Sequence, residues 1–418
     1  LVATQQNGEN GSESINSRDG SNAATNDKNN GANSMKAYLD NNATTQMDPR
    51  VLDAMIIAYR DYFGNPSSLH EFGREVAEHI DEARSKMAKL LGVTADEIIF
   101  TGSGSEADNA ALRGIVAASN KQKPHIITSE IEHPAVYITA RTLMEESGVR
   151  VTYLPVSANG TVDPDDVSRA IDTDTAIVSI MHVNNEVGAI QPIREIAQIC
   201  ADKNVTFHTD AVQSVGRIAV DFAELGADIA SVAAHKFNGP KGIGCLYVKA
   251  GTRIKPFVTG GGQEEGRRAG THNSPGIIGM ARALELAVDE LDATMKNVGE
   301  MRDRFEAKIL ATVPDCVVNA VSAQRVPNTS NLAFKGIESE ALLIKLDLAG
   351  IAASAGSACS TGSASASHVL MAMGMTHREA ASSIRFSFGK FNTEAEVDYA
   401  LEIIPEAVAQ LRKISINA

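Results

Sequence analysis

Apolar and polar positions along this chain follow two periods. Short runs rich in β-branched and aromatic residues recur at 98–100, 125–128, 176–181, 206–208, 229–233 and 244–248. Helical patterns lie between them: in 192–202 the apolar Ile193, Ile196, Ala197 and Cys200 share the spacing of one helix face. Strands alternating with helices predict an α/β fold, a mostly parallel central sheet covered on both faces. Ligands of such sheets bind beyond the carboxyl ends of the strands. A long amphipathic segment, 277–313, is expected to bridge to a second unit, and the remainder, 314–418, reads as a smaller α+β domain.

The first 34 residues break the pattern. Asn, Ser, Gly, Asp and Thr dominate them and large apolar residues are nearly absent, so they cannot bury enough surface to order themselves. Composition changes abruptly at Met35, which reads as the natural start. The expected organisation is a disordered extension over 1–34, a large domain over 50–291, and a small domain built from 35–49 and 292–418.

Charge and cysteine usage narrow the function. A net charge of -14 opposes non-specific binding to nucleic acid or anionic membrane. No apolar run reaches membrane-spanning length, and the N-terminus lacks the basic-then-apolar order of a secretory signal. Cys200, Cys245, Cys316 and Cys359 form no C-x-x-C pair, which argues against a zinc site, a dithiol motif or a disulfide framework. A cytoplasmic protein is expected.

Candidate chemistry falls at the strand ends. IIFTGSGSEADNAALRG reads as strand, polar turn and helix, with Ser105 and Asp108 as a helix-start box. Glycines and the free N–H groups of a first helical turn suit phosphate. The same run fits a dinucleotide fingerprint, Gly102-x-Gly104-x-x-Ala107 with Glu130 downstream, so an NAD-binding dehydrogenase stays open. FHTDAVQS places Asp210, ASVAAHKFNGPKG places Lys236, and IEHPAV places His133, each where a strand ends. Singly these also read as a helix cap, a surface lysine and a loop histidine. Jointly they supply the lysine, carboxylate and flat group that pyridoxal phosphate requires, beside a phosphate-type turn. The run AASAGSACSTGSASAS offers few packing contacts, and Cys359 in its middle suits a mobile sulfur carrier, although an incidental loop cysteine would look similar.

YLDNNATT, GNPSSLH, EHPAV, MHVNNEVG, HTDAVQSVG, AHKFNGPKGIG, RRAGT, GSACSTGS and IRFSFGKFN, in this order, resemble cysteine desulfurases of the NifS/IscS type from about Met35 to the C-terminus. The resemblance implies a homodimeric pyridoxal-phosphate enzyme of fold type I that converts L-cysteine to L-alanine. The sulfur would pass as a persulfide on Cys359 to an iron–sulfur scaffold or another acceptor protein. It implies that Lys236 forms the Schiff base, Asp210 partners the ring nitrogen, and His133 stacks on the ring and moves protons. Gln213 and Asn185 would hydrogen-bond cofactor or substrate, and Asn42 and Arg385 would hold the substrate carboxylate. Gly104, Ser105 and His235 would contact the phosphate, with Thr271 reaching over from the neighbouring subunit. The chain departs from the family in two places: Ala233 and Ala234 stand where a phosphate-binding Ser or Thr is usual, and Ser105 stands where Thr is common. A related pyridoxal-phosphate lyase or aminotransferase, and a non-catalytic scaffold, are the other readings.

Overall fold

The six short apolar runs and one further segment become strands of a single sheet in the computed structural model, which describes residues 35–356 and 366–416. They are β1 (Ile98–Thr101), β2 (His125–Ser129), β3 (Arg150–Leu154), β4 (Thr175–Ser179), β5 (Thr206–Asp210), β6 (Ile229–Ala233) and β7 (Gly244–Val248). Their order is β1-β7-β6-β5-β4-β2-β3. β2 to β6 run parallel to their neighbours in that series, whereas β7 is antiparallel to both β6 and β1.

The continuous apolar runs follow from burial on both faces. Alternate side chains serve opposite layers, as the two-residue period of a strand requires. Phe100, Ile127, Val178, Phe207, Val232 and Cys245 pack against one set of helices, contacting Val76, Ile80, Ile196, Cys200 and Met280 among others. Ile99, Ile126, Ile177, Ile229 and Leu246 pack on the other face against Ala107, Ala111, Leu112, Val136 and Leu143. Cys200 and Cys245 are fully buried core residues whose thiols are pushed up to about 12 by burial. The sequence reading missed β3 because it is a half-exposed edge strand, Arg-Val-Thr-Tyr-Leu, with little apolar signal.

A second sheet is antiparallel: β8 (Cys316–Val318), β9 (Thr329–Phe334) and β10 (Ser383–Ser387), in the order β10-β9-β8. Its core joins Leu332, Phe334, Ile384 and Phe386 to Phe305, Ile309, Val397 and Ile404. Ala37–Tyr38 pairs in parallel with Ile351–Ala352, and Leu39 enters this same core. The N-terminal end of the described chain therefore packs with its C-terminal part.

The amphipathic segment 277–313 falls in two helices, Ser274–Asp289 and Leu291–Thr312, separated at Glu290 with φ -100 and ψ 4. Glu290 leaves the helix and binds Arg50 at 2.7 Å and Lys390 at 2.9 Å, tethers that periodicity does not register. The helix after β1, Gly104–Ala118, is capped by Ser103, whose side chain accepts from the Glu106 N–H at 3.0 Å. Ser105 and Asp108 form no start box. Asp108 is instead buried against the sheet.

Candidate active site

The carboxyl ends of β2, β5 and β6 converge. β5 terminates in Asp210, which is 5% exposed and accepts from the Val212 N–H at 2.9 Å. Burial pushes its carboxyl up to about 6, against the pull of that N–H and of the Lys236 charge. β6 runs into the short turn Ala234–Lys236, and Lys236 Nζ donates to the carbonyls of Asn42 at 2.6 Å and Ala43 at 2.8 Å. His133 caps the helix Pro134–Ser147, with Nδ1 accepting from the Ala135 N–H at 3.2 Å. Burial, and then the Lys236 and His368 charges, hold its imidazole down to about 4, so His133 is neutral at pH 7. Ligand atoms of Asp108, His133 and Asp210 lie within 4.8 Å of one another.

A second group forms where residues 40–42 meet β9 and β10. Asn42 donates to Asn185 O at 3.1 Å and to Thr329 Oγ1 at 2.9 Å. Its Oδ1 accepts from Asn328 and from Arg217, both at 2.9 Å. Gln213 Nε2 donates to Asn42 O at 3.0 Å. Arg385 is 2% exposed; it pairs with Asp40 at 2.8 Å and donates to Asn185 O at 3.0 Å, while its Nε is buried with no partner. Arg385 Nη1 also reaches the carbonyl of Gly356 at 3.5 Å, the last described residue before the segment that holds Cys359. Cys359 itself lies outside the described residues, as do residues 1–34.

Sequence reasoning missed Arg217. It is buried, donates to Asn41 O at 3.0 Å and to Gln213 Oε1, and burial lowers its guanidinium to about 9. Its four-residue spacing from Gln213 was the available signal. Also missed were buried Glu132, pushed up to about 8 by burial, and Asp108. Apolar patterning hides polar residues of this kind.

The helix N-terminus after β1 packs tightly on the strand ends. A Cβ on Gly104 would sit 2.8 Å from Val212 Cγ2 and 3.2 Å from the Ala233 Cβ, so only glycine fits without a shift. Ser105 is exposed beside it, and His235 Nδ1 lies 3.2 Å from Thr44 Oγ1. Burial, then the Lys236 charge, takes His235 down to about 4. Ala233 and Ala234 are both buried, and Thr271 is exposed.

This donor set fits pyridoxal phosphate: an amine, a buried carboxylate, a neutral imidazole, and a helix start pressed close to both. It does not fit the dinucleotide alternative. That fingerprint requires a parallel strand–helix–strand unit. Here β1 pairs only with antiparallel β7, and four strands separate it from β2, the strand preceding Glu130.

A seven-stranded sheet of this order, with lysine, aspartate and histidine at its strand ends, defines a pyridoxal-phosphate-dependent enzyme of fold type I. The chain belongs to the aminotransferase class-V family, whose profile matches residues 37–400. It is 46% identical over 378 residues to the cysteine desulfurase of Trichormus azollae, covering 90% of this chain and 94% of that one. It is likewise 46% identical over 380 residues to the cysteine desulfurase IscS of Dictyoglomus turgidum, covering 91% and 96%. A solved NifS-like protein superposes with a TM-score of 0.84 at 41% identity, over 90% of this chain and all of that one.

Proposed function

We propose that the protein is a cysteine desulfurase that releases L-alanine from L-cysteine and passes the sulfur, as a persulfide on Cys359, to an acceptor protein. The observation that carries this reading is the meeting of Lys236, Asp210 and His133 beyond the carboxyl ends of β6, β5 and β2, beside a buried arginine suited to a carboxylate.

Bound pyridoxal phosphate supplies an electron sink that loosens bonds at the substrate's α and β carbons. The residues around it divide the remaining work. Lys236 anchors the cofactor, and the α-proton goes either to its amine, once free, or to neutral His133. Asp210 carries the negative charge that meets a cationic ring nitrogen. Gly104, Ser105 and His235 hold the phosphate, with Thr271 contributed by a second subunit. In place of a Ser or Thr hydroxyl, Ala233 leaves that contact to backbone N–H groups at the helix start. Arg385 grips the substrate carboxylate by its two-pronged fork, with Asn42 beside it, while Gln213 and Asn185 orient the reactants. The Cys359 thiolate attacks the substrate sulfur: an S–S bond forms, the Cβ–S bond breaks, and its electron pair stays on carbon to be protonated, giving alanine.

A homodimer accounts for an otherwise unfavourable surface. Leu52, Ile56, Ile57, Tyr59, Phe63, Leu69 and Phe72, between 44% and 91% exposed, crowd the first two helices and the turn joining them. Separate cores around the two sheets support a large domain over 50–291 and a small one from 35–49 and 292–418. No described helix is long and apolar enough to cross a membrane. A reducing cytoplasm would keep Cys359 a thiol, and an iron–sulfur scaffold is the proposed acceptor.

The test is incubation with cysteine and a dithiol, which reduces the persulfide to sulfide and is itself oxidised to a disulfide, scoring alanine and sulfide for the native protein and Cys359→Ser. Equimolar products that vanish in the variant support the reading. Sulfide release that survives the substitution removes the carrier role, and transamination without sulfide moves the enzyme to another reaction.

A further inference from the structure

Asp108 has no role in the mechanism above, yet it sits under the same strand ends. It projects from the helix Gly104–Ala118 onto the sheet, is 1% exposed, and its Oδ1 has no hydrogen-bond partner. A carboxyl oxygen of Asp108 lies within 4.8 Å of one of Asp210. Two buried carboxylates so close cannot both ionise cheaply, because low dielectric magnifies their repulsion and neither is hydrated.

The surroundings decide which one keeps a proton. The group nearest Asp108 that could become a cation is His208, whose Nε2 is 3.6 Å from Asp108 Oδ1. Both His208 nitrogens are engaged by hydroxyls, Nδ1 with Ser179 Oγ at 2.8 Å and Nε2 with Ser231 Oγ at 3.0 Å. Burial takes this imidazole down to about 3, so it brings no positive charge to Asp108. His133 is neutral as well, and Glu132, the remaining acid nearby, adds no positive charge. Asp210 differs: it has the Val212 N–H and feels the Lys236 ammonium. Burial first, and then the Asp210 charge, raise Asp108 well above the carboxylate range, against the opposing pull of the Ser231 hydroxyl.

We propose that Asp108 and Asp210 share one proton at neutral pH, held on Asp108, so that the pair presents a single negative charge, on Asp210, to the cationic ring nitrogen. Asp108 is thereby a positioning residue acting through Asp210. The second half of the proposal rests on the ring contact assigned to Asp210 above, whereas the shared proton does not.

The experiment is 13Cγ-aspartate NMR of the full-length protein, with cofactor bound and after its removal, alongside 15N-histidine spectra. One aspartate signal at the neutral-acid position at pH 7 is expected in both states and is lost in Asp108→Asn. In Asp210→Asn the neutral signal stays, and its titration moves down by about one pH unit, a tenfold loss of proton affinity. A neutral-acid signal that survives Asp108→Asn, the absence of any such signal, or an imidazolium at His208 would each overturn the shared proton. If Asp108→Asn does not fold, the native and Asp210→Asn titrations decide alone: a midpoint unmoved by Asp210→Asn rejects the coupling. Cofactor addition that leaves the Asp210 signal unshifted rejects the ring contact, whatever the state of the proton.

Discussion

The strand-end cluster and the arginine cluster, which the proposed function assigns to one reaction, are built on opposite plans. At the strand ends, buried polar atoms are left without partners: Asp108 Oδ1, Glu132 Oε2 and His182 Nδ1. Burial there pushes carboxyls up and imidazoles down. Around Arg385, by contrast, most side-chain groups satisfy one another, although Arg385 Nε itself is left without a partner. Asn42 uses both ends of its amide, and Arg385 is met by Asp40 and Asn185. Unsatisfied buried groups cost ~1–3 kcal/mol each, a penalty that a resident cofactor can relieve. Satisfied groups must exchange a partner when a substrate arrives and recover it when product leaves. Under the proposed function, this difference matches a resident cofactor in one half and an exchanging substrate in the other.

That contrast can be broken most sharply at Lys236. Lys236→Ala should lower alanine formation by ~10⁴-fold, with loss of the yellow colour of the bound cofactor, measured by product assay and absorbance. On the exchanging side, Arg385→Lys keeps the charge but loses the fork. The KM for cysteine should rise about 30-fold with a smaller change in kcat. Asp40→Asn removes the group that competes with a substrate carboxylate. It should lower KM several-fold while destabilising the cofactor-free protein by about 3 kcal/mol, read by chemical denaturation.

The smallest effect concerns pH. Asp210 and Glu132 have folded values raised to about 6 and about 8 from 3.8 and 4.5. Each of these two carboxyls therefore binds more protons folded than unfolded between those limits, whereas the imidazoles of His133, His182, His208 and His235, held down to about 3 or about 4 by burial, bind fewer folded than unfolded below about pH 6.5. The stability of the cofactor-free protein should accordingly rise with pH up to about 6.5, where the histidines dominate, and fall from there to about 8 as Glu132 ionises. Glu132→Gln should flatten that decline, and Asp210→Asn should steepen the rise below about pH 6. A stability that keeps climbing from about pH 6.5 to 8 would contradict the assigned burial of Glu132.

Legibility in the sequence followed burial. Strands covered on both faces announce themselves as unbroken apolar runs, which is why β4, β6 and β7 were found within a residue or two. β3 was missed because an edge strand needs no such run. The break at Glu290 escaped because neither Gly nor Pro marks it, and the tethers to Arg50 and Lys390 come from remote parts of the chain. Lys236, Asp210 and His133 were visible because polar residues directly after apolar strands stand out. Arg217 and Asp108 were not, since each lies within a helical or turn segment where polar residues are unremarkable until packing shows which face is inward. The glycine-rich turn misled in one reading because local spacing cannot report that β1 and β2 stand four strands apart.

The pairing of residues 37–42 with the C-terminal sheet has a consequence for biosynthesis. The Asn42 N–H donates to Ser387 Oγ at 2.8 Å, across 345 positions of sequence. During translation the strands from β1 to β7 can emerge and associate first, but the Asn42 side of the site has no second wall until β10, with Arg385 and Ser387, leaves the ribosome. A nascent chain can thus assemble the framework around Lys236 before the arginine cluster exists, and a ribosome stalled short of residue 383 would release a product without it.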